Sequence, residues 1–189
     1  MPLSQLDPNT ALIVVDMQKG IVTLPAVDPI AQVIERVQEL LTAFRDRNLP
    51  VVLVHVAGGA PGRTEQPPRN RTFPEDWTEL NPELGVHASD LLITKHSWGA
   101  FTNTALEAEL KRKGVTQVVI TGVATGTGVE ATARQAYELG FNVTLPLDAM
   151  TDSRAESQEY SRTRIFPRLG ETGATKDVLD LLAQRSVRA

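Results

Sequence analysis

Residues 11–18 read ALIVVDMQ: five apolar residues run directly into a carboxylate, Asp16. A short run with no polar alternation is the signature of a strand covered on both faces. The same reading applies at Val51–Val56 (VVLVHV), Leu91–Thr94 (LLIT), Val118–Thr121 (VVIT) and Asn142–Leu147. Between these runs lie helical patterns. From about Ile30 to Arg47, Ile30, Ile34, Val37, Leu41 and Phe44 recur at three- and four-residue steps and mark one buried face. Asn48 and Pro50 close that segment. Thr104–Lys113 and Val129–Leu139 each end at a glycine, Gly114 and Gly140. Ser153–Arg162 and Thr175–Ala183 also read as helices, and Arg164–Phe166 as a short sixth strand.

Apolar strands alternating with helices predict a parallel sheet with helices on both faces. Right-handed crossovers make that a doubly wound, three-layer α/β/α sandwich of about six strands, mainly parallel. One domain spanning 1–189 is expected, since ~100–200 residues suit a single core. The long irregular stretch, Ala57 to about Ser89, is rich in Gly, Pro, Asn and charge. A loop of that length is expected to be a binding loop, a lid or an oligomer contact.

Composition narrows the function. The chain has 189 residues, 19 Lys+Arg against 23 Asp+Glu, a net charge of −4 and no cysteine. Mild acidity argues against nucleic acid or an anionic membrane surface as partner. No apolar run approaches the ~18–20 residues of a membrane span, and no basic leader precedes an apolar segment. A cytoplasmic protein acting on a small molecule is the expectation. The lack of cysteine removes disulfides, thiolate metal sites and a thiol nucleophile.

Ligands of open α/β sheets bind beyond the carboxyl ends of the strands. Asp16, Lys95 and the segment Gly122–Gly128 all stand there. Asp16 follows an apolar run and is expected to be partly buried, a condition that demands a partner. Lys95 is the nearest cation by topology. Such a pair can tune acid–base chemistry, because desolvation and charge pairing shift the carboxyl in opposite senses. A structural ion pair, or a helix cap, is the alternative. Gly126-x-Gly128-x-x-Ala131 fits a dinucleotide fingerprint, with Asp148 22 positions after Gly126. Yet Gly122–Thr125 separate its first glycine from the strand, so no nucleotide cofactor is expected. Glycines there instead let backbone N–H groups approach an oxyanion. Trp98 and Phe101 follow Lys95 as candidate pocket walls, with ordinary packing the equal alternative. His55, His87 and His96 lack metal-site spacing, and no metal is expected.

ALIVVDMQ, LLITKHSWGAF, VVITGVATGTGVEATARQAYELGFNVTLPLDAMTD and IFPRLGETGAT together resemble the isochorismatase-like hydrolase superfamily, over roughly residues 11–182. The resemblance implies the doubly wound fold, no cofactor, and a homo-oligomer, commonly a dimer or tetramer. Most members use an Asp–Lys–Cys triad. Asp16 and Lys95 match the first two, and Gly128 stands where the family has its cysteine. The oxyanion site would use the amides of Ala124 and Gly128, next to a cis peptide preceding Ala124. Gln18, Trp98, Phe101, Thr125, Thr127 and Arg63 are the expected substrate contacts, with Arg69 and Arg71 as further carboxylate binders in the loop.

True isochorismatases also lack the cysteine. There the Asp protonates an enol-ether carbon, water adds to the oxocarbenium ion, and the hemiketal collapses to a ketone and an alcohol. The resemblance therefore implies hydrolysis without covalent catalysis, with Asp16 as general acid/base and Lys95 as its partner. This chain departs from that subgroup at Ala124, where the subgroup has an aromatic residue. It departs again at His96 and Ser97, near which the subgroup carries an Arg. Isochorismate itself is thus not the expected substrate. A silent, ligand-binding family member, and an amidase-like enzyme using water or a Thr, are the alternatives.

Overall fold

The computed structural model describes residues 3–65 and 73–185. Seven strands form one sheet: β1 Thr10–Val15, β2 Val51–Val56, β3 Leu91–Lys95, β4 Gln117–Val123, β5 Asn142–Pro146, β6 Met150–Thr151 and β7 Glu171–Gly173. The order is β3-β2-β1-β4-β5-β7, with β6 paired to the end of β4, and all the pairings are parallel. The helices are α1 Lys19–Val22, α2 Ile30–Arg45, α3 Leu106–Arg112, α4 Glu130–Glu138, α5 Ala155–Tyr160, α6 Phe166–Leu169 and α7 Thr175–Arg185.

The unbroken apolar run of β1 has a direct structural cause. Ala11, Ile13 and Val15 enter the core layer that also holds Leu106 and Leu110 of α3 and Ala133 and Ala136 of α4. Leu12 and Val14 enter the opposite layer, against Val37, Leu41 and Phe44 of α2 and Val178 and Leu182 of α7. Both faces are dry, so alternation disappears from the sequence. The expected three-layer sandwich is present.

The sixth strand is elsewhere than expected. Arg164–Phe166 is helical, running from a π turn at Ser161–Ile165 into α6. Glu171–Gly173 (ETG) is the edge strand instead, in register with Thr144–Pro146 of β5. It carries no apolar run because it is half-buried and only three residues long.

Close approach of β4 to β1 requires a glycine at 122. Its φ is +115°, and a Cβ there would lie 2.0 Å from the Val15 carbonyl oxygen. This contact brings the turn that follows β4 alongside the end of β1.

Candidate active site

At the carboxyl end of β1 the chain leaves the strand through Asp16, whose φ of +51° lies in the left-handed region. Asp tolerates that region better than most residues, and such conformations persist where surrounding structure enforces them. The Asp16 amide still donates to Val54 O of β2, at 2.9 Å. The residue is 6% exposed.

Lys95, the last residue of β3, is 2% exposed. With β2 lying between β3 and β1, its long side chain spans the end of β2. Its Nζ donates to Asp16 Oδ2 at 2.7 Å and to the Ser97 carbonyl at 3.0 Å. Asp16 Oδ1 is buried and has no protein hydrogen-bond partner. Burial pushes the Asp16 carboxyl up from 3.8 to about 6. Lys95, by charge and hydrogen bond, and His55 more weakly, hold it from rising further.

The turn after β4 completes the arrangement. A cis peptide joins Val123 to Ala124, as the resemblance implied, and Thr125–Val129 then form one π turn before α4. Thr127 N and Val129 N both donate to Ala124 O, at 3.1 Å. Gly128 is buried against Asp16: a Cβ there would lie 3.1 Å from Asp16 Oδ2, 3.1 Å from Val15 Cγ1 and 3.4 Å from Val123 O. Asp16, Lys95 and Gly128, distant in sequence, thus meet at one point. Thr125 is buried in the same turn with its hydroxyl unpartnered, and Thr127 is half-buried.

Other expected contacts sit differently. Gln18 is fully buried, with its amide committed to the fold. Oε1 accepts from Val56 N at 2.7 Å, while Nε2 donates to Val56 O at 3.1 Å and Trp77 O at 3.0 Å. The side chain adds a rung to the end of β2 and leaves no donor for a substrate. Phe101 belongs to the core, its ring 6.0 Å from that of Phe141. Trp98 is 69% exposed and Arg63 is exposed on the long loop, so neither is enclosed by a pocket. Arg69 and Arg71 lie outside the described residues. The ring nitrogens of His55 are engaged by Thr78 O at 2.7 Å and Thr94 Oγ1 at 2.5 Å. Among the described residues no group of three or more His, Asp or Glu side chains is arranged to hold a metal ion. A separate cleft of about 510 Å³, between α1, the start of α2 and residues 74–83, contains none of Asp16, Lys95 and Gly128.

Sequence reasoning missed Thr132. Buried on α4, its hydroxyl donates to Gly128 O at 2.7 Å and accepts from Ala100 N at 3.1 Å. One side chain therefore ties the Gly128 turn to the loop that follows Lys95. A Thr on a helix ordinarily back-bonds to the carbonyl four residues earlier, so the sequence held no sign of the second bond.

The topology and the pair at the strand ends define a doubly wound parallel α/β protein with its polar centre at the carboxyl edge. A family model of the isochorismatase domain matches residues 10–177. The chain is 38% identical over 179 residues to YwoC of Bacillus subtilis (strain 168), an isochorismatase family protein, covering 91% of this chain and 93% of that one. It is 36% identical over 141 residues to the streptothricin hydrolase of Streptomyces noursei, covering 74% of this chain and 48% of the relative. Among solved structures, an isochorismatase family protein from Burkholderia thailandensis superposes with a TM-score of 0.90 at 41% identity, covering 95% of this chain and 98% of that one. The chain belongs to the isochorismatase family. No described helix is long and apolar enough to cross a membrane.

Proposed function

We propose that the protein is a small-molecule hydrolase in which water, rather than an enzyme nucleophile, attacks the substrate. One observation carries this reading. A buried Asp16–Lys95 pair keeps one carboxylate oxygen, Oδ1, free of protein partners, while Gly128, a residue with no side chain, packs against the other, Oδ2. The acid and its cation are present, and the third position carries no side chain.

Asp16 is the general acid/base. Its carboxyl, raised to about 6, holds a proton in a useful fraction of molecules near neutral pH. With a vinyl ether, Asp16 delivers that proton to the enol-ether carbon. Water adds to the resulting oxocarbenium carbon, and its proton returns to the carboxylate. The hemiketal then breaks its C–O bond to give a ketone and an alcohol. Lys95 keeps the carboxylate in place and stabilises its ionised form after proton delivery. For an amide in place of the vinyl ether, the backbone amides of Ala124 and Gly128 are the candidate oxyanion donors, and Thr125 and Thr127 are the candidate substrate contacts in the same turn. The likeness to streptothricin hydrolase supports hydrolysis of a small molecule as the general activity. A Thr nucleophile is not favoured, since the Thr125 hydroxyl is hydrogen-bonded to no base.

The test is a turnover screen of vinyl ethers against amides with purified protein. Asp16→Asn is then assayed on any substrate found. Loss of turnover with the fold intact supports the assignment, and retention of wild-type activity overturns it.

A further inference from the structure

Asp152 is buried at 4% exposure and stands outside the Asp16–Lys95–Gly128 centre. A buried carboxylate needs compensation, and here two backbone amides supply it. Oδ2 accepts from Gly126 N at 2.7 Å, and Oδ1 accepts from Arg154 N at 3.1 Å. Bonds from N–H groups to an ionised carboxylate are the shorter and stronger kind. The first of them reaches into the π turn, two residues before Gly128. That turn is also packed against the start of α5: a Cβ on Gly126 would lie 3.0 Å from Ser157 Cβ and 3.3 Å from Asp152 Oδ2. The Asp152 carbonyl meanwhile accepts from Val27 N at 2.8 Å, in the segment that leads from α1 to α2. The neighbouring Thr151 hydroxyl accepts from Asp28 N at 3.0 Å. The chain on both sides of Asp16, after β1 and after β4, is thus anchored at 151–152.

We infer that Asp152 is a positioning residue, holding the Thr125–Val129 turn so that Gly128 stays packed against Asp16 Oδ2 and keeps that side of the carboxyl buried. A bland reading treats Asp152 as a local cap for α5, through its bond to Arg154 N. The two readings differ in what happens at Asp16. Burial is the main reason that the Asp16 carboxyl is raised, so a loosened turn admits water and lets it fall. The charges acting on Asp16 are Lys95 on β3 and His55 on β2, and Asp152 is not one of them. A change at Asp16 therefore reports movement of the turn rather than a lost repulsion.

The experiment follows the Asp16 side-chain carboxyl by carbon-13 NMR titration of the whole protein in wild type, Asp152→Ala and Asp152→Asn, with circular dichroism as the fold check. No substrate is needed, so this result is separate from the assignment of the reaction. The expected midpoint falls by about one pH unit or more in Asp152→Ala, toward the ordinary value. Asp152→Asn keeps a single acceptor for two N–H groups and shifts it in the same direction by less. If the alanine variant does not fold, the asparagine variant decides. A folded variant with lower thermal stability and an unmoved Asp16 midpoint overturns the inference and leaves Asp152 as a cap.

Discussion

Replacing Lys95 with Met removes the ammonium and keeps a side chain of similar length. In the native site the ionised Asp16 is tolerated because Nζ stands 2.7 Å from Oδ2. Burial raises the carboxyl from 3.8 to about 6, and Lys95 is the leading influence in the other direction. Without it the carboxyl rises further; buried carboxylates reach about 8–9. The sign follows from proton binding. A folded carboxyl above its unfolded value gives stability that is fully present in acid and is lost as pH rises through the folded value. In wild type that loss is about 3 kcal/mol between 3.8 and about 6, and the contribution is level above it. In Lys95→Met the native state keeps the proton to higher pH, so stability goes on falling by ~1.4 kcal/mol per pH unit. Urea unfolding of both proteins at matched pH values measures the difference, and carboxylates common to both cancel. Between about pH 6 and 8 the variant should lose about 3 kcal/mol relative to wild type. Stability curves that run parallel across that window would refute the buried pairing of Asp16 with Lys95.

Other outcomes follow from the same geometry. On a vinyl ether substrate, turnover should fall about tenfold per pH unit above the Asp16 midpoint, since the protonated acid is required; a rate that climbs through that range contradicts the acid role. Gly128→Ala places a methyl 3.1 Å from both Asp16 Oδ2 and Val15 Cγ1. It should cost about 1–3 kcal/mol in denaturant unfolding and depress turnover, and an active variant of wild-type stability would show that the space is not used. Gln18→Ala strands the Val56 N–H and frees the Trp77 carbonyl; a loss of about 1–3 kcal/mol is expected, without a specific change in kcat.

The strands that carry the site were legible because burial on both faces writes itself into composition. β1, β2 and β4 read as apolar runs, and Asp16 was visible as the first polar residue after one of them. Glu171–Gly173 was not legible, since a half-buried edge strand of three residues has neither run nor alternation. Arg164–Phe166 misled for the opposite reason: two apolar residues, Ile165 and Phe166, face the core from helical turns. Gln18 and Phe101 followed the right logic of position at a strand end. Their side chains turn into the fold instead, one to β2 and one to the core.

By itself the sequence determined the layered α/β architecture, the placing of Asp16 and Lys95 at strand ends, and the lack of any thiol. Periodicity records which faces are dry, and composition records which chemistries exist. Only the tertiary structure decided that Lys95 reaches across β2 to Asp16 and that a π turn sets Gly128 against the carboxylate. It alone showed Thr132 and Asp152 bracing that turn. These are contacts between residues distant along the chain, made through single hydrogen bonds at turns. Such bonds have no period, so they leave no pattern to read until the sheet has fixed which strand ends are neighbours.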